Sequence, residues 1–117
     1  MLICEHASHR IPERLFDLGL SEEDQQRHIA WDIGAEGVAR GLSRLLDAPL
    51  VMQRYSRLVY DCNRSPESES AMPEISEIFQ IPGNKGLTPD DKLKRITEIY
   101  RPFVDAIAQL LDRRAAH

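Results

Sequence analysis

The stretch Tyr55-Ser56-Arg57-Leu58-Val59-Tyr60-Asp61-Cys62-Asn63-Arg64 places two guanidiniums, a carboxylate and a carboxamide close together. That combination suits an anion, because a guanidinium offers a planar fork of donors to a carboxylate or phosphate. Leu58-Val59-Tyr60 has the apolar, β-favouring character of a buried strand, and Asp61-Cys62-Asn63-Arg64 would leave it where the chain turns. Open α/β sheets bind ligands outside the carboxyl ends of their strands. Arg57 and Arg64 therefore point to a substrate that carries carboxylate or phosphate.

A second polar cluster follows Met1-Leu2-Ile3-Cys4, where Glu5-His6-Ala7-Ser8-His9-Arg10-Ile11-Pro12 leaves another strand-like run. His6 is a candidate metal ligand, since neutral imidazole suits zinc, and Glu5, His9 and Asp32 are further nitrogen or oxygen donors. No HExxH or CxxC spacing accompanies them, and a histidine at a strand end is more often a surface or hydrogen-bonded group than a ligand. His28 and Asp32, four apart, would share a helical face, either as a polar wall of the site or as an anchor between helices.

These side chains need elements to position them. Ser21 reads as an N-cap for a helix that begins near Glu22, with acids against the helix dipole. Val38, Leu42, Leu45 and Leu46 keep a helical period, and Gly34, Gly37 and Gly41 would permit close packing against a sheet. Asp47-Ala48-Pro49 ends that helix and Leu50-Val51-Met52 supplies a strand, which gives a parallel, right-handed β-α-β unit with a third strand at residues 58–61. Residues 65–89, rich in proline and serine, read as a long loop over the site whose strongest turn is Ile81-Pro82-Gly83-Asn84. Asn84 either contacts ligand or holds the turn. Thr88-Pro89-Asp90-Asp91 opens a long apolar-striped helix, bent at Pro102, with Tyr100 and Phe103 in the core as Trp31 is.

Composition narrows the function classes. The 117 residues carry 42% hydrophobic and 29% charged side chains with a net charge of −4, which is ordinary for one folded domain and leaves no cation excess for nucleic acid. No apolar run reaches the length of a membrane helix, and the start lacks the basic region of a secretory signal, so a cytoplasmic location is the expectation. Cys4 and Cys62 read as reduced structural thiols, with metal ligation as the alternative.

Taken in order, Cys4-Glu5-His6-Ala7-Ser8 with Ile11-Pro12, His28-Ile29-Ala30-Trp31-Asp32-Ile33-Gly34-Ala35, Arg54-Tyr55-Ser56-Arg57-Leu58-Val59 with Asp61-Cys62-Asn63-Arg64, and Ile81-Pro82-Gly83-Asn84 resemble the N-formylglutamate amidohydrolase family. The resemblance implies a three-layer α/β/α domain with a mixed, mostly parallel sheet, of which residues 1–117 would be the amino-terminal part. It also implies a divalent metal, zinc by its donors, held by His6 and Asp32, which lowers the pKa of a water and polarises the formyl carbonyl of N-formyl-L-glutamate or a related N-acyl amino acid. Asn63 and Arg64 would clamp the substrate carboxylate, joined by Arg57 unless Arg57 serves the oxyanion, while Asp61 orients an arginine rather than attacks. Family members are longer and carry a further histidine-bearing strand and a glutamate general base. His117 is a poor substitute for that ligand, and a chain ending here would leave a sheet edge free for self-association. A carboxylate-binding module without catalysis, or a structural fragment, are the alternative readings.

Overall fold

The computed structural model describes residues 1–115; His117 lies outside them. Two strands, β1 (Leu2–Cys4) and β2 (Leu50–Met52), run parallel in the register Leu2↔Leu50, Ile3↔Val51 and Cys4↔Met52. Helix α2 (Ala35–Leu46) is the crossover between them, as the β-α-β reading requires. Gly34 begins that helix at φ +85°, a conformation that favours glycine, and Asp47 ends it in the left-handed region. The ladder continues past both strand ends, from Leu2 N–H to Pro49 O (2.8 Å) and from Gln53 N–H to Cys4 O (3.0 Å). Residues after β1 and after β2 therefore emerge together at the sheet's carboxyl end.

The third strand expected at residues 58–61 does not form. Leu58, Val59 and Tyr60 are fully enclosed, as a central strand would be, but Leu58 and Val59 lie in a hydrogen-bonded turn, with Val59 N–H on Ser56 O, and Tyr60 follows it without regular structure. Their carbonyls are satisfied by side chains instead of a neighbouring strand: Asn84 Nδ2 donates to Leu58 O (2.8 Å) and Arg95 Nη1 to Val59 O (3.1 Å). Buried backbone groups must be paired, and here two polar side chains do what a sheet would otherwise do. Among the described residues the parallel sheet has two strands, within a mixed α/β chain.

The helical reading across His28 and Asp32 also fails. Ser21 caps α1 (Glu22–Gln25) through its hydroxyl, which accepts from Asp24 N–H at 3.1 Å, but α1 stops before His28. His28 pairs instead with exposed Glu77 at 3.0 Å, and Asp32 turns to His6. Gly37 and Gly41 face open space rather than the sheet, and Val38, Leu45 and Leu46 are exposed among the described residues.

Residues 65–89 are more ordered than a loop. They hold the antiparallel hairpin β3 (Ile75–Ser76) and β4 (Phe79–Gln80) and two short 3-10 turns. The turn at Pro82–Asn84 is pressed onto Leu18: a Cβ on Gly83 would stand 2.6 Å from Leu18 Cα, so only glycine fits. Helix α3 (Pro89–Arg95) starts in a reciprocal Thr88–Asp91 capping box. A π turn at Ile96–Tyr100, closed by Arg101 N–H on Ile96 O, then leads into α4 (Arg101–Ala115). Pro102 has no N–H to continue the regular ladder, and the π turn lies directly ahead of it. Ile99 and Phe103 are buried from these helices, Tyr60 lies 4.9 Å from Tyr100 between ring centroids, and Trp31 packs at the core's edge.

Candidate functional site

His6 stands at the centre of the polar cluster, one residue beyond Glu5 at the end of β1. The main chain brings its neighbours in. Asp32 N–H donates to His6 O (2.9 Å), and Arg57 N–H donates to Ala30 O (3.2 Å), so the segments carrying Asp32 and Arg57 are tied side by side. Ser56 strengthens that tie: its buried hydroxyl donates to Ala30 O (2.8 Å) and accepts from Leu58 N–H. Asp61 is fixed from behind by its own N–H on Ala71 O at 2.8 Å.

The imidazole lies between two carboxylates. Nε2 is 2.7 Å from Asp61 Oδ1 and Nδ1 is 3.2 Å from Asp32 Oδ2. His6 and Asp61 are largely enclosed, whereas Asp32 is about half exposed, at 54% of its side chain. Arg57 spans both acids, with Nη1 3.3 Å from Asp32 Oδ1 and Nη2 3.4 Å from Asp61 Oδ2. The hydrogen bond to Asp61 lifts the His6 pKa, against burial, which pulls it down. Burial pushes the Asp61 carboxyl up, but His6, the Asn63 amide and Arg57 outweigh it, and the carboxyl sits below its ordinary value. With His6 protonated, the charges of His6, Arg57, Asp32 and Asp61 cancel.

Asn63 and Arg64 are exposed at the turn that follows Asp61, closed by Arg64 N–H on Asp61 O (2.9 Å). Asn63 N–H donates to Asp61 Oδ1 (3.0 Å), and Tyr60 O–H donates to the backbone Arg64 O (3.0 Å). The exposed Arg64 guanidinium has no acidic partner among the described residues and is available to an anion.

Among the described residues, no three His, Cys, Asp or Glu side chains converge as a metal cluster. Two do fit as neighbours on one ion. Tetrahedral zinc with bonds near 2.0–2.1 Å separates adjacent nitrogen and oxygen ligands by about 3.3 Å, and Nδ1 lies 3.2 Å from Asp32 Oδ2. Asp61 would then hold the far nitrogen, the arrangement by which a carboxylate fixes the tautomer of a metal-ligating histidine. His9 does not join them, because its ring packs edge-on to Trp31 at 4.7 Å.

A family model described as N-formylglutamate amidohydrolase matches residues 1–117. The chain belongs to that family. No curated protein matches it. A crystal structure of gene product Atu2144 from Agrobacterium tumefaciens is 51% identical and superposes with a TM-score of 0.97 over 99% of this chain and 46% of that one. The chain thus spans less than half the length of that solved relative.

Of the family-matched residues, His6, Asp32, Arg57 and Asp61 meet in one cluster, with Asn63 and Arg64 at its rim. Asn84 does not join it. Its side chain is 2% exposed, with Nδ2 donating to Leu58 O and Pro73 O (2.7 Å) and Oδ1 accepting from Arg95. Of the two roles expected for Asn84, these contacts describe the one that holds the turn. Asp61 contacts Arg57 and also His6, a pairing that sequence reasoning missed. Ser56 and Arg95 were missed as well; Ser56 lies inside the quoted motif, whereas nothing in the period of α3 marks Arg95 as buried.

Proposed function

We propose that this chain supplies the carboxylate clamp and two metal ligands of an amidohydrolase site acting on N-formyl-L-glutamate or a related N-acyl amino acid. The observation that carries the reading is the His6 ring held between Asp61 and Asp32, with the exposed Arg64 on the turn that follows Asp61. Arg64 and Asn63 take the substrate carboxylate, one by a planar fork and the other by its amide. Arg57, already shared between the two acids, turns its remaining N–H donors to the oxygen that gains charge as the amide is attacked. Asp61 keeps the His6 ring in place and holds the proton on Nε2, leaving Nδ1 for a divalent ion beside Asp32. Such an ion, zinc by its donor chemistry, supplies an activated water and a polarised carbonyl when bound.

In the same reading the parallel pair β1–β2 belongs to a three-layer α/β/α sheet, in a cytoplasmic protein. No described helix is long and apolar enough to cross a membrane. A second copy meets the free sheet edge beside exposed Ile3, Val38 and Leu42. The second reading is a carboxylate-binding module without catalysis, which would use Asn63 and Arg64 in the same way but bind no metal.

Isothermal titration of the purified chain with N-formyl-L-glutamate and with its α-amide tests the proposal. Binding of the acid, weakened for the amide and strengthened by zinc, is the expected result. Equal affinity for acid and amide would remove the clamp, and no effect of zinc would leave the module reading.

A further inference from the structure

Arg95 is the largest fully buried side chain of the described residues, 1% exposed, on the last turn of α3. Among the described residues no carboxylate reaches it as an ion pair, and Asp91 acts on it only from farther away. Its guanidinium donates to Val59 O (3.1 Å), Asn84 Oδ1 (2.6 Å) and Gly83 O (3.3 Å). Burial pulls its pKa to about 10, still far above neutrality, so the group is charged. An enclosed charge without a directly paired counter-charge is costly, and an apolar side chain of similar volume would fill the same space at lower cost. What an apolar side chain could not do is supply donors to those three oxygens.

We infer that Arg95 is a positioning residue for the site: with Asn84 as its relay, it replaces a neighbouring strand along residues 58–61 and so sets where Asp61 stands against His6. The chain of contacts is short and continuous. Arg95 fixes Val59 O directly and Leu58 O through Asn84, and the same Asn84 holds Pro73 O. Between Val59 and Asp61 lies only Tyr60, itself fully buried, and Asp61 Oδ1 meets His6 Nε2 at 2.7 Å. Without the fork of donors, the enclosed Val59 O and Asn84 Oδ1 lose their partner, and the turn that aims Asp61 must shift to recover it. The inference rests on the half-site reading for what the aligned residues do, and on these contacts alone for their alignment.

The test is NMR on the 117-residue chain, metal-free, with Arg95→Met and Arg95→Lys. Wild type is brought by urea to each variant's global stability, so that loss from general loosening is subtracted. At matched stability, Arg95→Met is expected to exchange the Asp61 amide at least about tenfold faster and to lose the hydrogen-bonded ring N–H signal of His6. Arg95→Lys keeps the charge but cannot span Val59, Gly83 and Asn84 at once, and is expected to recover less than half of that protection. Wild-type protection and ring signal in Arg95→Met at matched stability, or full recovery in Arg95→Lys, would show that Arg95 only fills space or only supplies charge. Titration of the same samples with N-formyl-L-glutamate separates the two ideas: no binding to wild type defeats the half-site reading, while the exchange result stands by itself.

Discussion

His6 and Asp61, 55 positions apart in sequence, share a 2.7 Å contact between Nε2 and Oδ1 that orders the rest of the site. It decides which ring nitrogen faces outward, places one acid under Arg57, and leaves the more exposed acid, Asp32, beside the outward nitrogen.

Asp61→Asn keeps the shape but removes the charge that pairs with both His6 and Arg57. Loss of a largely enclosed, charge-assisted hydrogen bond costs about 1–3 kcal/mol. Urea unfolding should show a lower midpoint with an unchanged slope, and the wild-type midpoint in the variant would count against the contact's importance.

The same pair fixes the pH profile of the metal-free chain. Asp61 is held below its ordinary 3.8, so its contribution is complete above that value and is lost as pH falls through the lowered one. His6 is held above 6.5, so its contribution is complete below that value and is lost as pH rises through the raised one. Stability by urea unfolding should therefore peak between the two limits, and His6→Asn should flatten the alkaline side of the peak.

Arg64→Ala should weaken N-formyl-L-glutamate by about 2 kcal/mol or more, with little rescue by Arg64→Lys, because a single ammonium does not reproduce a planar fork. Calorimetric titration against the α-amide checks the assignment, since an equal loss for both ligands would move the α-carboxylate away from Arg64.

Cys62 offers a separate test at high pH. Burial raises its thiol from 9.0 to about 11, partly opposed by the hydrogen bond from Gln53 Nε2 at 3.1 Å. The unfolded chain gives up that proton first, so stability falls from pH 9.0 towards about 11. Cys62→Ala should lessen that fall, and alkylation of native Cys62 at pH 8.5 should be slow beside the unfolded chain.

Much of this was legible from local chemistry. Ser21 and Thr88 cap where their side chains can reach a third amide, and Asp47-Ala48-Pro49 ends α2 ahead of β2, because such signals act within one turn of chain. Residues 58–61 were legible only as buried. An enclosed apolar run satisfies its backbone through a strand or through distant side chains, and the partners here, Asn84 and Arg95, lie far along the sequence. The His28–Asp32 spacing misled for a related reason: four-residue spacing implies one face only if the helix persists, and α1 ends at Gln25. The family motifs marked His6, Asp32, Arg57 and Asp61 as site residues, while the contact of Asp61 with the far side of the His6 ring needed the fold.

The most direct measurement of the central claim, that the chain carries a substrate clamp and two ligands of an amidohydrolase site rather than all of its machinery, is glutamate release from N-formyl-L-glutamate by the purified 117-residue protein with added zinc. Catalytic zinc ordinarily uses three protein ligands and a proton acceptor, and the described residues bring together two candidate donors for such an ion, His6 and Asp32. The account predicts release no faster than background in a sample that binds the substrate. Turnover that disappears in His6→Ala would contradict it, because the chain, alone or as a pair of copies, would then hold a complete site.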